Sequence, residues 1–274
     1  MKTNKLSDFI PHIIISLFIV FTIYPILFAL SNSFKHLKDA YTSTINLIPN
    51  PFTTENYIEL FNTIPLINII LNTFIIASIV TLVKIFCAFL ASYAIVFFNF
   101  KLKKVAYVGL ISTIFIPFTV TMVPNYIFMS KLGLTDTIWG VILPQLADAV
   151  AIFMITQSMR NIPKALIESS ILDNISLFHT MKDIVLPLVK PAITSTSIWF
   201  FILSWNEYIW PVLMLKSQEN YTLPLALQLF VSAEGGTNFT VAMALSVITM
   251  AIPLTLYLVF QRFIIDTFTS SGIK

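Results

Sequence analysis

Six stretches of this chain are too long and too apolar to belong to a water-soluble domain: 13–30, 67–98, 105–126, 138–158, 192–215 and 240–260. Each approaches or exceeds the roughly 20 residues that a helix needs to cross a ~30 Å hydrocarbon core. Lipid offers nothing to backbone N–H and C=O groups, so such runs must satisfy them internally, as helices. The remaining composition agrees. Of 274 residues 57% are hydrophobic and only 11% charged, against about a quarter charged in soluble domains. The expectation is an all-α polytopic membrane protein with six transmembrane helices. Residues 1–66 would hold the first helix and an external loop, 67–262 the main membrane domain, and 263–274 a tail. The first run ends in Ser31-Asn32-Ser33-Phe34-Lys35, without a small-residue cleavage pattern, so it reads as a retained span. Pro117 and Pro124 predict kinks in the third run, and Pro144 lies within the fourth.

The cations set the orientation. With the N-terminus inside, internal segments hold Lys2, Lys5, Lys101, Lys103, Lys104, Arg160, Lys164, Lys182, Lys190, Arg262 and Lys274. External segments hold Lys35, Lys38, Lys131 and Lys216, and Lys84 lies inside a span. Eleven against four favours both termini in the cytoplasm of a multi-pass plasma-membrane protein. The small net charge of +3 is thus positional and gives no sign of a nucleic-acid partner. The single Cys87 excludes a disulfide framework and a cysteine metal site. No GxxxxGK[ST] pattern occurs, so the chain has no Walker loop for ATP phosphates.

Between the fourth and fifth runs, residues 161–191 form a cytoplasmic polar stretch. Pro163 suits a first helical turn, with Asn161 before it as a candidate cap. Nothing breaks a helix from Pro163 to Leu172. Ala165 and Ser169 share a face, with Ser170 beside it, small enough for a close neighbour. Glu168 stands at its margin, placed to meet a cation on a partner. Asn174, after Asp173, tolerates a left-handed turn. Ser176 can cap a second short helix, 177–185, which Pro187 and Pro191 would stop before the fifth span. The physical reading is a helix–turn–helix knob offered to a partner.

This stretch resembles the EAA loop of ABC importer permeases. Glu168 stands at the Glu, Asp173 at the Asp, Phe178 at the Phe, Leu186-Pro187 at the Leu-Pro and Pro191 at the last Pro. Ser169 and Ser170 replace the alanines, and Asn174 replaces the glycine. The resemblance implies a type I importer permease bundle (MetI-like), without catalytic or metal-binding residues. It would pair with a second permease subunit, two ATPase subunits and an extracytoplasmic solute-binding protein. ATP and Mg would be bound by the ATPases and no cofactor by this chain. Glu168, Ser169, Ser170, Asp173, Asn174, Phe178, Leu186 and Pro187 would couple it to the ATPases. Asp173 and Asn174 would form the turn, and Phe178 an apolar anchor.

Lys84, Asp148 and Glu207 are ionisable residues inside spans. Each must face protein or water. They either pair with one another, for example Lys84 with Asp148, or line a solute path. Trp205-Asn206-Glu207-Tyr208-Ile209-Trp210-Pro211 offers stacking faces and hydrogen bonds, which suits a sugar; the alternative is an interfacial aromatic belt. Asn206, Glu207 and Tyr208 therefore join the path candidates. Trp-Asn-Glu in the fifth span looks like a feature of the carbohydrate-type subfamily, as do Gly133-Leu134 with Thr137, Tyr93-Ala94, and Gln261-Arg262-Phe263 with Lys274. The glycines usual in that tail are Thr267 and Ser271 here. The small residues Ala77, Thr81, Ala88 and Ser92 read as packing within the subunit or as a seam with a second permease. The leading reading is a sugar or polyol permease. Its alternatives are a permease for glycerol phosphate, an amino acid or a peptide, and a self-contained secondary transporter.

Overall fold

The structure, a computed structural model, describes residues 5–42, 46–231 and 238–270, with side chains between 11 and 261. Gly235-Gly236, Ser271 and Lys274 lie outside the described residues, as do the side chains of Arg262, Phe263 and Thr267.

Every regular element among the described residues is helical. Helix α1 (Lys5–Ser33) contains the first apolar run, and α2 (Leu37–Thr42) and α3 (Glu55–Thr63) are short pieces of the loop that follows. Helix α4 (Leu66–Phe97) is the second run, about 48 Å long at 1.5 Å per residue, ample for a tilted crossing. The third run breaks. Helix α5 (Lys103–Ser112) tightens through Thr113–Phe115, and a 97° bend leads into α6 (Phe118–Lys131). Ile116 is extended at ψ 112°, the conformation imposed on a residue before proline, here Pro117. Pro124 sits inside α6.

The fourth run is α7 (Ile138–Ile142), a tight turn at Leu143–Gln145, a 44° bend, and α8 (Ala149–Arg160). Then come α9 (Lys164–Leu172), α10 (Leu177–His179) and α11 (Leu186–Trp205), the last two joined through a π-helical segment, Thr180–Val185. Helices α12 (Ile209–Met214), α13 (Leu223–Val231) and α14 (Phe239–Ser270) complete the order. Among the described residues, four helical stretches are long and apolar enough to cross a membrane, and up to six if each bent pair is one span.

Three expectations are corrected. Pro187 and Pro191 do not stop the helix, which runs from Leu177 to Trp205. Proline lacks an N–H and crowds the carbonyl four residues back. The wider π turn just before Pro187 takes up that misfit. The fifth run is also not continuous to 215, because the helix breaks at 206–208. Asn161 ends α8 and does not cap α9, whose N-cap position is Pro163.

The chain forms two compact units. One comprises Met1–Ile67 and Leu223–Ile252. In it Asn56 is buried and its amide donates to the carbonyls of Ser33 and Lys35, both at 2.8 Å. Tyr57 donates to the Ser33 hydroxyl, and Phe34 stacks on Phe52. Buried Lys35 donates to the Asn46 carbonyl at 2.6 Å. Burial lowers its pKa, opposed by nearby Asp39. The Asn238 side-chain amide donates to Glu59 at 2.6 Å.

The second unit comprises Asn68–Thr222 and Pro253–Lys274. Its core packs Ile85, Phe89 and Tyr93 of α4 with Ile152, Ile155 and Met159 of α8 and with Val189 and Phe200 of α11. Ala77, Thr81, Ala88 and Ser92 are all buried within the chain. Ser92 donates to the Ile152 carbonyl and accepts from Thr156. Packing within the subunit therefore accounts for this stripe.

Candidate functional site

The polar stretch folds as two limbs joined at Asn174. Asn174 has φ +53°, the left-handed conformation that Asn tolerates better than other residues with a Cβ. The turn is closed by Asn174 N–H donating to Ile171 C=O and Ile175 N–H donating to Ser170 C=O. Ser170 is buried; its hydroxyl donates to the Ile167 carbonyl and accepts from Thr180 across the turn. A small residue is required there to bring the limbs together. The Ser176 hydroxyl accepts from His179 N–H and caps the second limb. Tyr93, near the end of α4, donates to the Leu177 carbonyl and ties that limb to the bundle.

The tip is apolar and uncovered. Leu172 is 82% exposed, Ile171 64%, Phe178 61% and Leu177 60%. Glu168, Ser169 and Asp173 are exposed beside them, as are Leu186 and Pro187. Glu168 makes no ion pair with a described residue. A continuous apolar tip rimmed by polar groups is the kind of surface that docks onto another protein or a membrane.

The breaks in the third, fourth and fifth runs open a second feature. A cavity of about 370 Å³ is lined by Lys84, Phe118, Thr121, Asn125, Gln145, Asp148, Phe200, Ser204, Glu207 and Trp210, among others. That volume falls within the range of small-ligand pockets. Lys84 Nζ lies 3.4 Å from Asp148 Oδ2 and 4.6 Å from the centre of the Phe200 ring. Asp148 Oδ1 caps α8 by accepting from Val150 and Ala151 N–H. Glu207 Oε1 accepts from Trp210 N–H at the start of α12. Pairing and cavity lining, alternatives in the sequence, thus coexist at Lys84 and Asp148.

Asn206 and Tyr208 do not line this cavity. The break at 206–208 leaves Asn206 exposed, with its amide spent on the Ile202 carbonyl of its own helix. Trp205 and Trp210 are buried. Trp205 stacks on Phe201, and Trp210 donates Nε1–H to the Gly140 carbonyl while its ring meets Phe118 edge-on. They are therefore not open stacking faces on a membrane surface. Sequence reasoning missed Asn125 and Gln145. The available signal was an amide directly after a proline within an apolar run, Pro124 and Pro144 respectively.

A third feature was also missed. Asp136, at φ +58°, joins the 132–137 loop to the 215–221 loop. Its N–H donates to the Met214 carbonyl at 2.7 Å. Its Oδ1 accepts from the N–H groups of Lys216 and Ser217, and its Oδ2 from the Ser217 hydroxyl. Asn220 donates to its carbonyl oxygen and to Oδ1. Burial would raise the Asp136 pKa, but the Ser217 hydroxyl, the two backbone N–H groups and Asn220 together lower it to about 2. Gly140 permits this closure: a Cβ there would collide with the Leu134 carbonyl oxygen and the Met214 methyl. Among the described residues no His, Cys, Asp and Glu cluster could hold a metal ion.

An all-helical chain with apolar runs, a polar-lined cavity among them and an uncovered knob between the fourth and fifth runs has the make-up of a membrane transport subunit. Comparison with solved structures finds the same fold in a bacterial ABC transporter involved in the import of the acidic polysaccharide alginate. The TM-score is 0.84 at 19% identity, covering 96% of this chain and 98% of the other. No family model matches the sequence. The sn-glycerol-3-phosphate transport system permease protein UgpE of Brucella abortus (strain 2308) is 30% identical over 270 residues, 96% of this chain and 95% of that protein. Its counterpart in Rhizobium meliloti (strain 1021) is 29% identical over 273 residues, 97% of each. The arabinooligosaccharides transport system permease protein AraQ of Halalkalibacterium halodurans is 27% identical over 276 residues, 100% of this chain and 99% of that protein. The chain belongs to the family of ABC importer permeases.

Proposed function

We propose that this chain forms half of the translocation path for a sugar or related polyol across the plasma membrane. A second permease supplies the other half. Two ATPase subunits bind ATP and Mg and grip the knob, and an extracytoplasmic binding protein delivers solute. This chain performs no bond chemistry. The observation that carries the reading is the uncovered apolar tip at Ile171, Leu172, Leu177 and Phe178, held on a turn that is itself fully hydrogen bonded. A groove on an ATPase would take Phe178 and Leu172, with Glu168 facing a cation at its rim. Closure of the ATPases would push the two limbs as a rigid body. The π segment and α11 continue the second limb without a break, so the push would reach the cavity wall at Phe200 and Ser204.

The relatives named for glycerol phosphate favour a second reading, in which the solute is a phosphorylated polyol. Both readings keep N- and C-termini in the cytoplasm. The test is a pull-down of the tagged full-length chain from its native membrane, followed by ATP-driven uptake in proteoliposomes. Co-purification of an ATPase and a second permease is expected. A chain that transports alone, driven by an ion gradient, would overturn the reading. Orientation is checked by labelling Ser176→Cys in a Cys87→Ser background. An impermeant thiol reagent outside intact cells should leave it unlabelled.

A further inference from the structure

We propose that the cavity accepts an uncharged polyhydroxylated solute and excludes anionic ones, with Glu207 as the discriminating group. This deepens the path reading and rests on it. The charges decide the matter. Lys84, Asp148 and Glu207 are the charged groups among the lining residues. A phosphate or carboxylate solute would need Lys84. That ammonium is itself buried, 3.4 Å from Asp148 Oδ2 and seated over the Phe200 ring, so an anion would have to displace Asp148 to reach it. Asp148 Oδ1 is committed to two helix N–H groups. Glu207 makes no ion pair with a described residue and spends one oxygen on Trp210 N–H. The three side chains therefore leave one uncompensated negative charge facing the cavity, which repels an anion in a partly desolvated site.

The neutral lining fits hydroxyl groups. Asn125 makes no hydrogen bond to a described residue, and Gln145 uses its amide N–H on the Val141 carbonyl, leaving its oxygen to accept. The edge-on pair of Phe118 and Trp210 gives an apolar wall. Acceptors, an amide and an aromatic wall match a ring with C–H faces and hydroxyl edges. A cationic solute would find only Glu207, since Asp148 is taken by Lys84.

The experiment reads the cavity's potential directly. Thr121 lines the cavity and is half-buried. Thr121→Cys is made in a Cys87→Ser background, and the assembled transporter is reconstituted in proteoliposomes. It is then labelled with neutral and with sulfonate-bearing methanethiosulfonate reagents, each rate divided by its rate with free 2-mercaptoethanol. The expected result is labelling by the neutral reagent and an anionic rate about tenfold lower. Glu207→Gln should bring the two within about threefold, while Glu207→Asp should keep the gap. Equal rates in the parent, or a gap unchanged by Glu207→Gln, would overturn the selectivity and leave the path intact. A cysteine at 121 that even the neutral reagent cannot reach would instead show that the cavity is not on an aqueous path, and the path reading itself would fail.

Discussion

Among the described residues, two turns are built on a non-glycine residue in the left-handed conformation, and they do opposite things. Asn174 turns the knob at φ +53°, and Asp136 turns the 132–137 loop at φ +58°. One bent apolar run, 138–160, separates them in the chain. Around Asp136 the carboxylate and backbone take up donors from Lys216, Ser217 and Asn220. Around Asn174 the backbone and the hydroxyls of Ser170 and Ser176 are satisfied, yet large apolar side chains stand in the open. Both residues accept the same modest backbone strain. At Asp136 local bonds offset it, and the turn is complete within the chain. At Asn174 the geometry presents Leu172 and Phe178, and in the proposed assembly an ATPase subunit completes the surface. A left-handed Asn or Asp thus distinguishes a latch from a docking tip by what its neighbours leave unsatisfied.

Glu168→Lys should break the docking side of this contrast most strongly. The residue is exposed and outside the apolar runs, so insertion and folding should be unchanged. A charge-assisted contact at the partner interface would become a like-charge one. Loss of one partner in a buried charge pair costs roughly 2–5 kcal/mol, and the lower end is already a ~30-fold loss of affinity. Co-purification of the ATPase measures it. Undiminished docking would remove Glu168 from the interface.

Gly140→Val attacks the latch side. Its Cβ would meet the Leu134 carbonyl oxygen and the Met214 methyl, and the backbone oxygen cannot yield cheaply. Overpacking of this kind costs about 1–3 kcal/mol. The melting temperature of the purified complex should fall while ATPase docking at the knob persists. A fall in docking equal to the fall in stability would mean that latch and knob are not independent.

The knob was legible in the sequence because its signals are local: a small residue at 170, a turn-tolerant Asn174 and a capping Ser176 all act within a few residues. The apolar runs were legible for the same reason, since each is its own evidence of burial in lipid. What failed was continuity. Pro187 reads as a stop only if the helix must keep α geometry, and the π segment before it removes that condition. The break at 206–208 hid inside an apolar run, so Asn206, Glu207 and Tyr208 looked equivalent although only Glu207 reaches the cavity. Asp136 was invisible because its partners at 216, 217 and 220 lie 80 to 84 residues away. Nothing in the sequence near an ordinary loop aspartate reports such partners.

Substitutions at Asn174 sharpen the docking side with a smaller effect. Asn174→Gly should be mild or slightly favourable, because glycine occupies positive φ freely. Asn174→Val places a β-branched residue at φ +53°, a conformation such residues strongly resist, at a cost of about 1–3 kcal/mol. The knob would distort while the spans remain. ATP-driven uptake should drop several-fold in Asn174→Val and hold in Asn174→Gly. Equal uptake in both would mean that the turn geometry is not transmitted to the partner.

Asp136→Asn tests whether the latch depends on charge or only on shape. The amide keeps one acceptor oxygen but loses the negative charge, which weakens its hydrogen bonds by about 1 kcal/mol, equivalent to roughly fivefold faster exchange of the Lys216 and Ser217 amide protons. The pH dependence gives the sign. The Asp136 pKa is lowered from 3.8 to about 2 in the folded chain. A depressed carboxylate pKa stabilises the fold fully above the unfolded value and loses that contribution as pH falls toward the folded one. Protection of these two amides should therefore be flat from neutrality to about pH 4 and decline toward about pH 2. In Asp136→Asn the decline should vanish, because no proton is taken up at that position. A decline of the same size in Asp136→Asn would place the titrating group elsewhere and reduce the latch to a matter of shape.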